Sequence, residues 1–150
     1  MGDLLKKIKI VKKRKGAIIP KRATRGSAGF DLHACIDENV IIKSGEKCLI
    51  PTGIAVEVQE KNAAGFVFAR SGLGVKYGIT LSNAVGVIDS DYRGEIFVSL
   101  CNLSHEDYEV HPKDRIAQLV IMPVCLPIIE EVDVLTVSER NENGFGSTGK

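Results

Sequence analysis

The sequence predicts an all-β protein, a jelly-roll-like sandwich or distorted barrel with at most one short helix. Three observations carry this. Aliphatic residues recur at period two in Ile54–Val58, between Ala55 and Glu57, and in Ile96–Leu100, between Phe97 and Ser99, the signature of strands with one face buried. Gly, Pro, Asn or Asp recur at short intervals between apolar runs, as turns in an antiparallel sheet require. No window sustains a 3.6-residue period.

The elements follow in chain order. Leu5, Ile8, Ile10 and Val11 interleave with lysines as in a first strand with one wet face. Strands are expected at Gly29–Ala34, Val40–Ile42, Lys47–Ile50, Ile54–Val58 and Gly65–Ala69, each separated from the next by turn formers. A helical turn or two fits Ser71–Lys76, where Leu73 is the only strongly apolar residue before Val75. Strands resume at Ile79–Ser82, Ile96–Leu100, Tyr108–Val110, Ile116–Ile121 and Ile128–Val134. From Arg140 to Lys150 only Phe145 is apolar, so the end cannot add much to a core. An aromatic between Gly144 and Gly146 suits a mobile lid, which divides the single domain into a β core at 1–139 and a lid at 140–150.

Composition narrows the class. The 150 residues are 44% apolar and 26% charged, ordinary for one globular domain. The longest apolar stretch, Leu119 to Ile129, is short and broken by Pro123 and Pro127, so no transmembrane helix is expected. The start lacks an uncharged apolar region and is not a secretory signal. Cys35, Cys48, Cys101 and Cys125 form no C-x-x-C pair, which favours a reduced, cytoplasmic setting. His33, His105 and His111 show no metal-ligand spacing, so no protein-built metal site is expected. The net charge of +1 divides into +9 over residues 1–25 and −8 over the rest. A basic arm could meet phosphate backbones, but a solvated strand face is the stronger reading, and no nucleic acid partner is expected.

Two glycine-rich segments imitate phosphate loops. GFGSTGK at 144–150 has the P-loop spacing without the hydroxyl residue and helix that must follow, and Gly72 to Gly78 misses G-x-G-x-x-G by one residue in a chain without βαβ pattern. Both still place flexible backbone beside hydroxyls and cations, which suits phosphate.

Five ordered segments resemble the trimeric dUTP pyrophosphatase (dUTPase) family: AGFDLHA at 28–34, ARSGLGVKYGI at 69–79, NAVGVIDSDYRGEI at 83–96, KDRIAQLV at 113–120 and RNENGFGSTG at 140–149. The departures are small. Lys113 stands where the fourth motif usually has Gly, and Asn141 and Asn143 replace two glycines of the fifth.

The resemblance implies hydrolysis of dUTP to dUMP and pyrophosphate, limiting uracil in DNA and supplying dUMP for dTMP synthesis. Asp89 matches the acid that orients and deprotonates the attacking water, a task suited to an ionised carboxylate at hydrogen-bond distance. Arg70, Ser71 and Gly72 match the phosphate-binding segment, Gln118 a phosphate-contacting amide, and Arg140, Ser147 and Thr148 the tail's phosphate contacts. Asn83, Gly86, Val87 and Ile88 fall in a segment that resembles the family's uracil-binding hairpin. Tyr92 matches the ring that packs on deoxyribose and excludes a 2′-hydroxyl, and Phe145 would stack on uracil. Mg²⁺ is expected on the triphosphate and waters. The family builds its sites between subunits, so a C₃ homotrimer is expected.

Two other functions compete. A deaminating relative would share the fold but carry a catalytic Glu near Ser99, where this strand offers only Glu95 at its edge. A non-catalytic binding module would need no water-activating acid, and Asp89 argues against it.

Overall fold

The computed structural model describes residues 7–138. Eleven strands and one helix occur among them: β1 (Ile8–Lys12), β2 (Phe30–His33), β3 (Val40–Ile42), β4 (Lys47–Pro51), β5 (Ile54–Val58), β6 (Ala63–Phe68), α1 (Ser71–Tyr77), β7 (Ile79–Leu81), β8 (Gly86–Ile88), β9 (Phe97–Asn102), β10 (Tyr108–Val110) and β11 (Arg115–Pro123). Every strand pair is antiparallel.

The strands form a four-stranded sheet ordered β2-β11-β6-β8, a three-stranded sheet ordered β4-β9-β7, and the ribbons β1-β5 and β10-β3. Leu32, Ile50, Ile54, Ile79, Ile96, Leu100, Ile116 and Leu119 are buried in the single core these elements enclose. Each such side chain contributes about 1.5–3 kcal/mol by leaving water. The expected all-β sandwich with one short helix is the fold found.

Strand register decides which residues share a face. Gln118 lies opposite Phe68, Val120 opposite Phe66, and Val87 opposite Phe66 on the other side. These residues therefore line the outer face of the four-stranded sheet, while Val67 and Leu119 between them are buried in the core. In β5 the period-two pattern understates the burial: Ala55 is buried as well as Ile54, Val56 and Val58.

Helix α1 forms where expected because a single anchor suffices for two turns. Leu73 is its buried residue, and Val75 points to solvent. Gly78 ends it in the left-handed region at φ +68°, its N–H donating to the Gly74 and Leu73 carbonyls.

The expected strand at Ile128–Val134 does not form. That stretch has no ladder partner among the described residues, and Ile128 and Ile129 are 96% and 93% exposed. Its apolar content fits a strand, but a strand requires a neighbouring edge to bond to, and this stretch pairs with no described strand. The segment Asn83–Ile88 also differs from a simple hairpin. β7 pairs with β9 and β8 with β6, so the Asn83–Val85 turn bridges two different sheets.

The helix α1 is far too short to cross a membrane, and no helix among the described residues is long and apolar enough to do so. Arg140, Phe145, Ser147 and Thr148, and the lid at 140–150, lie outside the described residues.

Candidate active site

The bridge between the two sheets opens a cleft of about 300 Å³. Asn83, Gly86, Val87, Ile88, Asp89 and Tyr92 all line it, so the residues expected to read base and sugar meet the expected water-activating acid. Leu81, Ile96 and Val98 supply its apolar floor, and Glu95, Phe97 and Ser99 complete the wall.

Local chemistry shapes this wall. Ala84 adopts φ +60°, and the N–H of Val85 donates to the Asn83 carbonyl at 2.6 Å, a tight turn that carries the chain from β7 to β8. Gly86 sits against Val67, whose Cβ would lie 3.2 Å from any Cβ added there. Asp89 starts a turn in which the Tyr92 N–H donates to its carbonyl at 3.1 Å. Its exposed carboxylate has no hydrogen bond or ion pair with another described residue.

Tyr92 is 43% exposed, yet its ring is held. The hydroxyl donates to the Glu95 carbonyl at 3.0 Å. The ring also lies over the α-carbon of Gly94, where an added Cβ would fall 2.9 Å from Cε2 and nearer still to Cζ and the hydroxyl oxygen. Glycine at 94 is thus what lets the ring fold back.

Arg70, Ser71, Gly72 and Gln118 do not line this cleft. They assemble around β2 and β11, with Gln118 on the outer face of the sheet. The Arg70 guanidinium lies 3.3 Å from one Asp31 oxygen and donates to the Arg115 carbonyl at 2.9 Å. Arg115 reaches the other Asp31 oxygen at 3.4 Å. The Gln118 amide N–H donates to the Ala69 carbonyl at 3.1 Å, bracing the chain just before Arg70. Ser71 and Gly72 are exposed at the start of α1.

Asp31 and Arg115 are site-shaping residues that reading of the sequence does not single out, and Glu95 is weighed there only against the glutamate of a deaminating relative. Asp31 and Arg115 each lie inside a quoted motif, but their partnership depends on the β2–β11 pairing, which sets Asp31 opposite Gln118 and shifts register between Arg115 and Ala117. At the place where a deaminating relative would carry its glutamate, Ser99 presents a hydroxyl 2.6 Å from that of Ser82. Glu95 does reach the cleft, but its carboxylate accepts from Arg14 and from the Gly53 N–H.

Two titrations are moved by these surroundings. Burial, with Arg115 and Arg70 nearby, pushes His33 below its ordinary value despite the opposing pull of Asp31. Its Nδ1 is the one buried side-chain polar atom without a hydrogen-bond partner among the described residues. Burial pushes the Tyr108 phenol up.

Among the described residues no three His, Cys, Asp or Glu side chains converge as a cage. A hard divalent ion such as Mg²⁺ keeps waters and phosphate oxygens as ligands and needs few from protein.

An all-β sandwich with an exposed carboxylate in a cleft between sheets, and a guanidinium pair outside it on Asp31, carries the equipment of a hydrolase acting on an anionic substrate. The comparisons with known proteins make this particular. The dUTPase family model matches residues 15–149. The deoxyuridine 5′-triphosphate nucleotidohydrolase of Neisseria meningitidis serogroup A is 48% identical over 142 residues, 95% of each chain. That of Psychromonas ingrahamii is 52% identical over 132 residues, 88% of this chain and 87% of its own. The dUTPase of Staphylococcus bacteriophage 80alpha, solved with dUPNHPP, superposes with a TM-score of 0.87 at 28% identity, covering 97% of this chain and 99% of its own. The chain belongs to the dUTPase family.

Proposed function

We propose that the chain hydrolyses dUTP to dUMP and pyrophosphate, with Asp89 activating the attacking water. The observation that carries this reading is the cleft itself, in which an Asp89 carboxylate without a partner among the described residues lies beside the Asn83–Ile88 bridge and the Tyr92 ring. Asp89 takes a proton from water as its oxygen bonds to the α-phosphorus, and the bond from that phosphorus to the bridging oxygen breaks, pyrophosphate leaving with the electron pair. Asn83 and the backbone of Gly86, Val87 and Ile88 read the uracil edge, and the Tyr92 ring lies where a 2′-hydroxyl would have to fit. Mg²⁺, when bound on the phosphates, neutralises charge that would otherwise repel the nucleophile.

The phosphate-facing residues support a site shared between subunits. Gln118 lies outside the lining of the cleft, on the outer face of the four-stranded sheet, so one chain's cleft and its own Gln118 do not address the same nucleotide. That outer face is apolar beyond its charged end, with Phe66, Phe68 and Val120 half-buried and Val87 58% exposed. Surfaces of this kind mark contacts between chains. The reading is therefore a C₃ homotrimer in which Arg70, Ser71, Gly72 and Gln118 of one subunit meet the cleft of another, closed by a tail bearing Arg140, Phe145, Ser147 and Thr148. In the cell the reaction would act in the cytoplasm, keeping dUTP from DNA and supplying dUMP for dTMP synthesis.

Phosphorus NMR of the protein with dUTP and Mg²⁺ tests the reaction. Pyrophosphate and dUMP are expected; unchanged triphosphate refutes it. Asp89→Asn is expected to lower kcat by about 10²–10⁴ while a non-hydrolysable dUTP analogue still binds. Near-full turnover by that variant overturns the assignment of the base. Light scattering after gel filtration tests the trimer, and an active monomer excludes it.

A further inference from the structure

The basic start of the chain has no part in the reading above, yet one of its residues reaches the cleft wall. Arg14 Nε donates to both Glu95 carboxylate oxygens, at 2.7 and 3.0 Å. The Gly53 N–H donates to the same carboxylate at 2.9 Å. The circuit closes through the backbone, because the N–H groups of Lys13 and Arg14 both donate to the Gly53 carbonyl, at 2.7 and 3.3 Å. The guanidinium also lies over the Phe97 ring, 5.7 Å from its centroid. Glu95 and Phe97 both line the cleft.

We propose that Arg14 is a positioning residue for the nucleotide: by clasping Glu95 it fixes the Tyr92–Phe97 turn against which Tyr92 rests, and it cancels a negative charge in the wall that an anionic nucleotide must pass. The inference rests on the reading of the cleft as the dUTP site.

The geometric part follows from what Glu95 does at both ends. Its carbonyl accepts the Tyr92 hydroxyl, so the pose of the ring tracks the main chain at 95. The next residue is already fixed: the Ile96 N–H donates to the Ile54 carbonyl at 2.9 Å, and Thr52 donates to the Ile96 carbonyl through N–H and hydroxyl. At 95 itself the side chain is the tether, and Arg14 is its cationic partner. The electrostatic part follows from exposure. The Glu95 side chain is only 14% exposed, so water screens it poorly, and it shares the cleft with Asp89. Without Arg14 two carboxylates would face an incoming triphosphate. A guanidinium Nε held between both oxygens, with the planar group over a ring, is a task for arginine, which lysine performs in part.

Steady-state kinetics on the full chain with dUTP and UTP test this, each variant being checked by its melting temperature. Arg14→Ala is expected to raise KM for dUTP by about three- to tenfold and to lower the dUTP-over-UTP ratio of kcat/KM by a similar factor, with a smaller effect on kcat. Adding Glu95→Gln should bring KM back toward the original value, since the amide oxygen can still accept from Gly53 and no charge remains to repel. Arg14→Lys retains the charge without the planar guanidinium over Phe97 and the Nε donor fixed between both oxygens, and should keep KM near the original while losing selectivity. It also serves if the alanine variant does not fold. Tyr92→Ala separates the two levels of argument. If that variant keeps full selectivity, the reading of the cleft falls and Arg14 with it. If Tyr92→Ala loses selectivity while Arg14→Ala or Arg14→Lys keeps both KM and selectivity, only the role of Arg14 is overturned. An Arg14→Ala defect that Glu95→Gln leaves untouched overturns it as well.

Discussion

Lys113 occupies a backbone position that suits glycine, and replacing it should stabilise the protein. The turn His111-Pro112-Lys113-Asp114 joins β10 to β11 and closes with the Asp114 N–H donating to the His111 carbonyl at 3.1 Å. Proline presets the first central residue of a type II turn, and the second must take positive φ. Lys113 does so, at φ +71°. The left-handed region costs a residue with a β-carbon about 1–2 kcal/mol relative to glycine. Glycine in turn loses about 0.4–1 kcal/mol more unfolded-chain entropy on folding. Lys113→Gly should therefore gain about 0.5–1 kcal/mol per chain, which for 150 residues raises the melting temperature by about 1–3 °C. The shift does not depend on how many chains unfold together, because the free-energy gain and the unfolding entropy scale by the same number. Calorimetry at fixed protomer concentration reads it, with Lys113→Ala as the control that removes the exposed lysine but keeps the strain. A lower melting temperature for the glycine variant refutes the reasoning. So does an equal rise for alanine, which would assign the gain to the lost charge. The turn matters for the site because β11 leaves it carrying Arg115 and Gln118.

Other perturbations probe the site and its frame. Gly94→Ala should displace the Tyr92 ring and break its hydrogen bond to Glu95, worth about 0.5–1.5 kcal/mol; the dUTP-over-UTP ratio should drop by about tenfold, and an unchanged ratio would show that the ring is not seated by residue 94. Gly29→Ala places a Cβ 2.8 Å from the Gln118 Oε1 and 3.2 Å from its Cβ; the strain should cost about 1–3 kcal/mol in chemical denaturation and raise KM through the displaced amide, whereas wild-type values for both would refute the tight approach. His33 links stability to pH. Its value is lowered in the folded chain from 6.5, so the unfolded chain takes up a proton that the folded one resists. Stability should be intact above pH 6.5, fall as pH drops below it, and level off beneath the folded value. His33→Gln should flatten the melting temperature against pH across that window, and an unaltered slope would assign the acid sensitivity elsewhere.

The parts of the fold that were legible in the sequence are those where local chemistry suffices. Ile96, Val98 and Leu100 alternate with Phe97, Ser99 and Cys101, and the structure buries the first three, because a strand's side-chain period is set by its own backbone. A helical turn or two is expected at Ser71–Lys76, and α1 spans Ser71–Tyr77. Ile128–Val134 had the same local credentials and formed no strand, because a ladder needs a second edge, and edge supply belongs to the whole molecule.

The order of motifs along the chain determined the family, and with it the residue types a nucleotide would meet: a carboxylate at 89, a ring at 92, guanidinium and amide at 70 and 118. Tertiary structure alone decided how they are divided. Strand register set Gln118 and Asp31 on the outer face of the four-stranded sheet, outside the cleft that the Asn83–Ile88 bridge lines, a separation no spacing reveals, since a shift of one residue would exchange the faces. It likewise brought Arg14 to Glu95 across 81 residues of chain. A charge pair of that kind depends on which strands become neighbours, and that is settled by burial of the common core, not by either residue.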